Sequence, residues 1–203
     1  MMNTKILIIA FLISCGAYSQ ETIVPLENLL GYESEQNEVV YFKDVNNLLN
    51  KYTGNWIYDD GTHYLKITVT KKEHLPQDFF GKLLNPNYED NLSIKMIYKL
   101  NGVEQYNTTS FGATTALING NVIESTNKIS LEYYEPTSSC RRQKHANLTL
   151  EFNPSNTLGG NDTLGWTRTS RISYVSPNTE CPDGTLVDSS DFIIPANLVL
   201  SRE

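Results

Sequence analysis

Beyond residue 20 the chain has no apolar run long enough to cross a membrane as a helix. It has no basic surplus either. With 16 Lys and Arg against 23 Asp and Glu, the formal net charge is −7. Nucleic acid and anionic lipid repel such a chain, so neither is expected as a partner. Histidine is scarce, and His63, His74 and His145 show no metal-ligand spacing. There is no Gly-x-Ser-x-Gly and no phosphate-cradling loop. Carboxylates are plentiful, but no spacing sets two of them across a cleft. A glycan hydrolase would need such a pair about 5–9.5 Å apart. No enzyme and no cofactor is therefore expected. Helical periodicity is almost absent, and no internal repeat is visible.

What is present begins with the first twenty residues. Met1 to Lys5 carry one positive charge, and Ile6 to Ile13 are unbroken apolar residues. Ala17-Tyr18-Ser19 then places small residues where a signal peptidase reads. Residues 1–19 are expected to be a signal peptide, with Gln20 as the first mature residue. Leu12-Ile13-Ser14-Cys15 also fits a lipobox. In that alternative Cys15 is acylated and tethers the protein to a membrane. The chain is thus expected outside the cytoplasm, secreted or periplasmic, or else as an outer-membrane lipoprotein. Only lipidation at Cys15 would bring a membrane partner.

Removal of the signal leaves about 184 residues, enough for one domain with a core. It also leaves two cysteines, Cys140 and Cys181. In an exported domain these are expected to pair. The bridge would close a loop of about 42 residues and stabilise by about 4 kcal/mol in the chain-entropy model. The rival reading makes Cys140 a nucleophile with His145 as its base.

Residues 20–43 read as an acidic N-terminal linker, and 44–203 as the folded domain. Asp44 resembles an N-cap, with a short helix predicted over Val45 to Lys51. From there the period is two. Leu65, Ile67 and Val69 alternate with Lys66, Thr68 and Thr70. Leu92, Ile94, Met96, Tyr98 and Leu100 share one face. Ile129, Leu131 and Tyr133 repeat the pattern, as do Ala146, Leu148, Leu150 and Phe152. Strands with one dry and one wet face belong to antiparallel sheets. Asp60-Gly61, Asn101-Gly102 and Asn119-Gly120 lie between such runs and predict tight hairpins, with Thr126-Asn127-Lys128 a weaker fourth. The expected fold is all-β: an antiparallel up-and-down barrel of about 8–10 strands. An antiparallel β-sandwich is the alternative.

Gly54-Asn55-Trp56 follows the short predicted helix, and the last strand ends in Ser201-Arg202. In these residues the chain resembles the lipocalin (calycin) superfamily. The resemblance implies a barrel closed at one end by Trp56. Arg202 would lie across the indole, and Gly54 would let the backbone pass close beneath. The export signal, the Gly-x-Trp and the terminal basic residue are also similar to those of a family of exported proteins of unknown function from Bacteroidota.

Three further clusters bear on function. Asp183, Asp188 and Asp191, with Asp162 nearby in the chain, are oxygen ligands of the kind that hold Ca²⁺, although a turn beside the bridge is the simpler reading. Arg141, Arg142, Lys144 and His145 form a basic loop. Tyr64, Tyr98, Phe111, Tyr133, Phe152 and Trp166 could line a cavity, or simply fill a small barrel. The leading expectation is a non-enzymatic barrel that binds a small apolar or amphipathic ligand in its mouth. It requires a cavity opening away from Trp56. The alternative is a barrel that recognises an envelope or extracellular protein through its loops, Leu83-Leu84 among them, and it requires a filled interior.

Overall fold

The computed structural model describes residues 21–35, 38–77, 87–111, 117–135, 144–157, 159–171 and 192–203. Eleven strands form one sheet: β1 (Thr22–Pro25), β2 (Val40–Lys43), β3 (Gly54–Asp59), β4 (His63–Pro76), β5 (Tyr88–Leu100), β6 (Val103–Asn107), β7 (Ile118–Ser125), β8 (Lys128–Glu135), β9 (Lys144–Asn153), β10 (Thr163–Arg171) and β11 (Asn197–Arg202). From β3 to β5 and from β7 to β11, each strand pairs antiparallel with the next in the chain. Two long-range pairings close the circuit. β11 returns to β3 through Arg202↔Trp56 and Ser201↔Ile57. β7 joins β5 through Leu92↔Gly120, Ser93↔Asn119 and Ile94↔Ile118. The result is a closed antiparallel barrel of eight strands, as the alternation predicts, and not a sandwich.

The inward rows are the apolar rows read from the sequence. Leu65, Ile67, Tyr133, Leu148, Leu150, Leu164, Trp166 and Leu200 are fully buried, and Ile94, Met96 and Leu131 nearly so. A closed barrel leaves no free edge among its eight strands, which removes the usual template for aggregation.

Three expectations need correction. Within the stretch 20–43, read as a linker, the described residues 21–35 and 38–43 pack as part of the fold. β1 and β2 pair in parallel, β2 pairs with β5 at Tyr41↔Tyr88 and Phe42↔Glu89, and Val24, Leu26, Val40 and Phe42 join the core. Its few apolar residues lack a repeating face, so periodicity could not reveal them. The helix over Val45 to Lys51 is absent. Turns lead into a single 3-10 turn, Asn50–Tyr52. Asp44 does accept backbone amides, but from Leu48 and Leu49 (2.6 and 3.1 Å), one or two residues too far along for an α-helical N-cap. Asn47, at φ 55°, breaks the helical path between them. Finally, Asn119-Gly120 is not a hairpin but part of β7, whose register with β8 shifts beyond Asn119. Gly120 has φ +145°, and a Cβ there would sit 2.9 Å from the Leu131 Cα. The glycine serves the close approach of β7 to β8, and the β7–β8 turn falls at Thr126-Asn127, the weaker signal.

Candidate functional site

The two barrel ends differ in chemistry. At the floor, Trp56 is fully buried and its indole N–H donates to the Tyr52 carbonyl (2.8 Å). The Arg202 guanidinium carbon lies 4.2 Å from the centre of the Trp56 rings. The same guanidinium donates to the Thr53 carbonyl (3.0 Å) and the Lys51 carbonyl (2.8 Å). Its Nε lies 3.3 Å from Asp162 Oδ2. One side chain thus fastens the last strand to the turn that opens the first. Gly54 has φ +116°, and a Cβ there would come within 3.3 Å of Arg202 Nη1. Its bareness makes room for the guanidinium. The structure brings Gly54, Trp56 and Arg202 together in one cluster. Lysine cannot reproduce this planar fork. Arg202→Lys is expected to lower stability by about 1–2 kcal/mol, given what charge-assisted hydrogen bonds and cation–π contacts contribute. Equilibrium urea unfolding measures it, and an unchanged midpoint would show that the fork is ornamental.

A second buried cluster ties the N-terminal strands to this end. Asp90 is fully buried and accepts from the Tyr41 hydroxyl (2.5 Å), the Asp44 amide (3.0 Å) and the His74 amide (3.1 Å). The Lys71 ammonium sits 3.0 Å from Asp44 and 3.7 Å from Asp90. Burial alone would lower the Lys71 pKa, but the hydrogen bond and charge of Asp44, with Asp90, hold it above the ordinary value. Burial, then the Asp90 carboxylate, raises Tyr41 well above the usual phenol range, so it remains a donor. His74, at φ 54° where the β4–β5 register shifts, stacks on Tyr88 with centroids 4.0 Å apart. Its Nε2 lies 2.9 Å from Glu21.

The mouth carries the other buried charges, Glu135 and Arg168. Each stands on the inward row of its strand. Glu135 follows Ile129, Leu131 and Tyr133, while Arg168 follows Leu164 and Trp166. Residues 192–194, just before β11, cross this end. Glu135 Oε1 accepts the amides of Ile193 (2.9 Å) and Ile194 (3.2 Å). Arg168 Nη2 donates to the Ile194 carbonyl (3.0 Å), and its guanidinium lies 3.8 Å from the Phe192 ring centre. The Tyr98 hydroxyl donates to the Ile193 carbonyl (3.1 Å) and is 2.7 Å from His63 Nδ1. Tyr133 packs edge-on to Trp166 (5.7 Å) and against Phe192 (5.8 Å). Burial, then the Glu135 charge, raises the Tyr133 pKa well above its ordinary value, against a smaller opposing effect of Arg168. Ile194 is fully buried.

Sequence reading missed Glu135 and Arg168. The signal was there: a charged residue on the apolar parity of a strand. Of the six aromatics expected near a cavity, Tyr98, Tyr133 and Trp166 are buried on inward rows, Phe152 packs 6.2 Å from Trp56, and Tyr64 lies on the outer wall under Lys99 (5.3 Å). Asp162 faces Arg202, which takes it out of the calcium set. Cys15, Cys140, Cys181, Arg141, Arg142, Leu83, Leu84, Asp183, Asp188 and Asp191 lie outside the described residues.

No curated protein and no solved structure matches the chain. A family model does match, over residues 1–201. The chain accordingly belongs to the DUF6705 family, a family of unknown function.

Proposed function

We propose that this protein is an exported, non-enzymatic barrel of lipocalin-like kind that recognises an envelope or extracellular protein with its mouth end. One observation carries this reading: the inward rows carry bulky side chains from floor to mouth. Trp56, Met96, Trp166, Tyr133 and Tyr98 are fully buried or nearly so, Tyr133 meets Trp166 edge-on, and Phe192 and Ile194 cross the mouth beside them. A small-ligand carrier needs a cavity of about 300 Å³ or more opening away from the floor. Bulky inward side chains leave little room for such a space, so ligand carriage ranks second.

A groove among the described residues lies outside the barrel. It has a volume of about 310 Å³, lined by Asp59, Gly61, Thr62, Tyr64, Lys99 and Gly102. It runs between the β3–β4 and β5–β6 hairpins, at the same end as Phe192 and Ile194. Its aromatic and charged lining suits a protein surface.

Export rests on the residues before Gln20, with soluble secretion and acylation at Cys15 as the two routes. Native mass spectrometry of protein purified from its own host tests the functional reading. The expected result is a bare polypeptide mass, with a protein partner captured after crosslinking from Lys99 at the mouth. A retained small molecule would overturn the reading in favour of ligand carriage.

A further inference from the structure

We propose that the mouth is a socket that reads peptide main chain. Phe192–Ile194 occupies it in cis, and an extended segment of a partner, with an aromatic residue and an aliphatic one two positions on, takes its place. The inference rests on the partner-recognition reading above and names what the partner presents.

The argument starts from how the strap is held. Four hydrogen bonds link it to Glu135, Arg168 and Tyr98, and all four go to its backbone: two amides and two carbonyls. Only two of its side chains are read. Phe192 lies beneath the Arg168 guanidinium and beside Tyr133, and Ile194 enters the fully buried core. Ile193, between them, is 36% exposed. Sheet edges capture extended peptides by hydrogen bonds to their main chain, with alternate side chains in pockets, and here fixed side chains supply those bonds. Any segment with the same alternation offers the same groups.

The choice of charged residues supports an exchangeable strap. Glu135 is 3% exposed and Arg168 is 7% exposed. A plug that only sealed the barrel would be served as well by apolar side chains, because packed apolar residues commonly equal or exceed buried charges in stability. Charged groups behave differently when the strap lifts. Water rehydrates them, so opening costs less than uncovering an apolar surface of the same size. The socket then stands ready to bind main chain again.

The probe is a fluorescein-labelled peptide Asp-Phe-Ile-Ile-Pro-Ala, the sequence of residues 191–196. Its binding to the full chain is followed by fluorescence anisotropy. The double variant Phe192→Ala, Ile194→Ala loosens the strap and is expected to bind the peptide at least tenfold tighter than the unaltered chain. A peptide with alanine at its Phe and second Ile positions is expected not to bind. A folded double variant with no gain in affinity would overturn the proposal, as would dimerisation of that variant in place of peptide capture.

Should the double variant fail to fold, amide exchange on the unaltered chain decides. The Ile193 and Ile194 amides are expected to exchange at least tenfold faster than those of Leu198 and Leu200. Exchange of all four only through global unfolding would overturn the proposal. A partner crosslinked at the mouth without peptide binding would sink this inference alone. A retained small molecule would sink the reading it rests on, while strap opening would still be measured by exchange.

Discussion

Trp56→Ala is expected to remove about 3–5 kcal/mol of folding stability, the usual cost of truncating a fully buried aromatic side chain. In a chain of this size that corresponds to a fall in melting temperature on the order of 10 °C. The reason is the number of elements that meet on one indole. Its N–H satisfies the Tyr52 carbonyl, its face carries the Arg202 guanidinium, and its edge meets Phe152 at 6.2 Å. Removing the ring opens a cavity at the seam where β11 closes on β3, a junction of only two paired residues on each strand. Trp56→Phe is expected to cost less, since it keeps most of the buried area but loses the hydrogen bond and weakens the cation–π contact. Thermal unfolding followed by near-UV circular dichroism measures both. A loss under about 1 kcal/mol for the alanine variant, well below the range for buried aromatics, would mean that the floor is not what holds the barrel shut.

Asp90→Ala is expected to cost a similar amount, about 3–5 kcal/mol, by a different mechanism. Removing the carboxylate leaves three donors without an acceptor: the Tyr41 hydroxyl and the amides of Asp44 and His74. A buried donor stripped of its partner costs about 1–3 kcal/mol. Lys71 keeps Asp44 but loses its second anion. The damage should be local as well as global. Tyr41 and Asp44 belong to the N-terminal segment, while Lys71, His74 and Asp90 belong to β4 and β5. Amides of β1 and β2 are therefore expected to exchange with solvent faster than those of β8 and β9 in this variant. Uniform exchange across the barrel, or a melting temperature within a degree or two of the unaltered chain, would show that the network is not the clasp described here.

These two sites also differ in how far local sequence reveals them. The Gly54–Trp56–Arg202 floor is legible because Gly-x-Trp near the first strand and a terminal arginine resemble a known arrangement. The mouth and the Asp90 clasp are not, although they obey one readable rule. In β5 the inward row runs Asp90, Leu92, Ile94, Met96, Tyr98. In β8 it runs Ile129, Leu131, Tyr133, Glu135, and in β10 Leu164, Trp166, Arg168. A charged residue at the end of an apolar row reads locally as the point where the strand leaves the core. The partner that makes its burial tolerable lies far along the chain: Tyr41 for Asp90, Ile193 and Ile194 for Glu135. Hydropathy patterns carry no information about such separations.

The alternation of apolar and polar residues, with Asx-Gly between the runs, determined by itself that this chain forms antiparallel strands joined in order, because side chains on a pleated strand must face opposite sides. It also determined which residues fill the interior. Tertiary structure alone decided the rest. The sheet closes because β7, pressed close to β8 at Gly120, also pairs with β5, and because β11 meets β3 beneath Arg202. The N-terminal strands join because a buried carboxylate gathers donors from two separate segments. The mouth is covered because three side chains from β5, β8 and β10 converge on one stretch of backbone. Each of these depends on groups brought together by the fold, and contact across such distances is a property of the folded chain rather than of any window of its sequence.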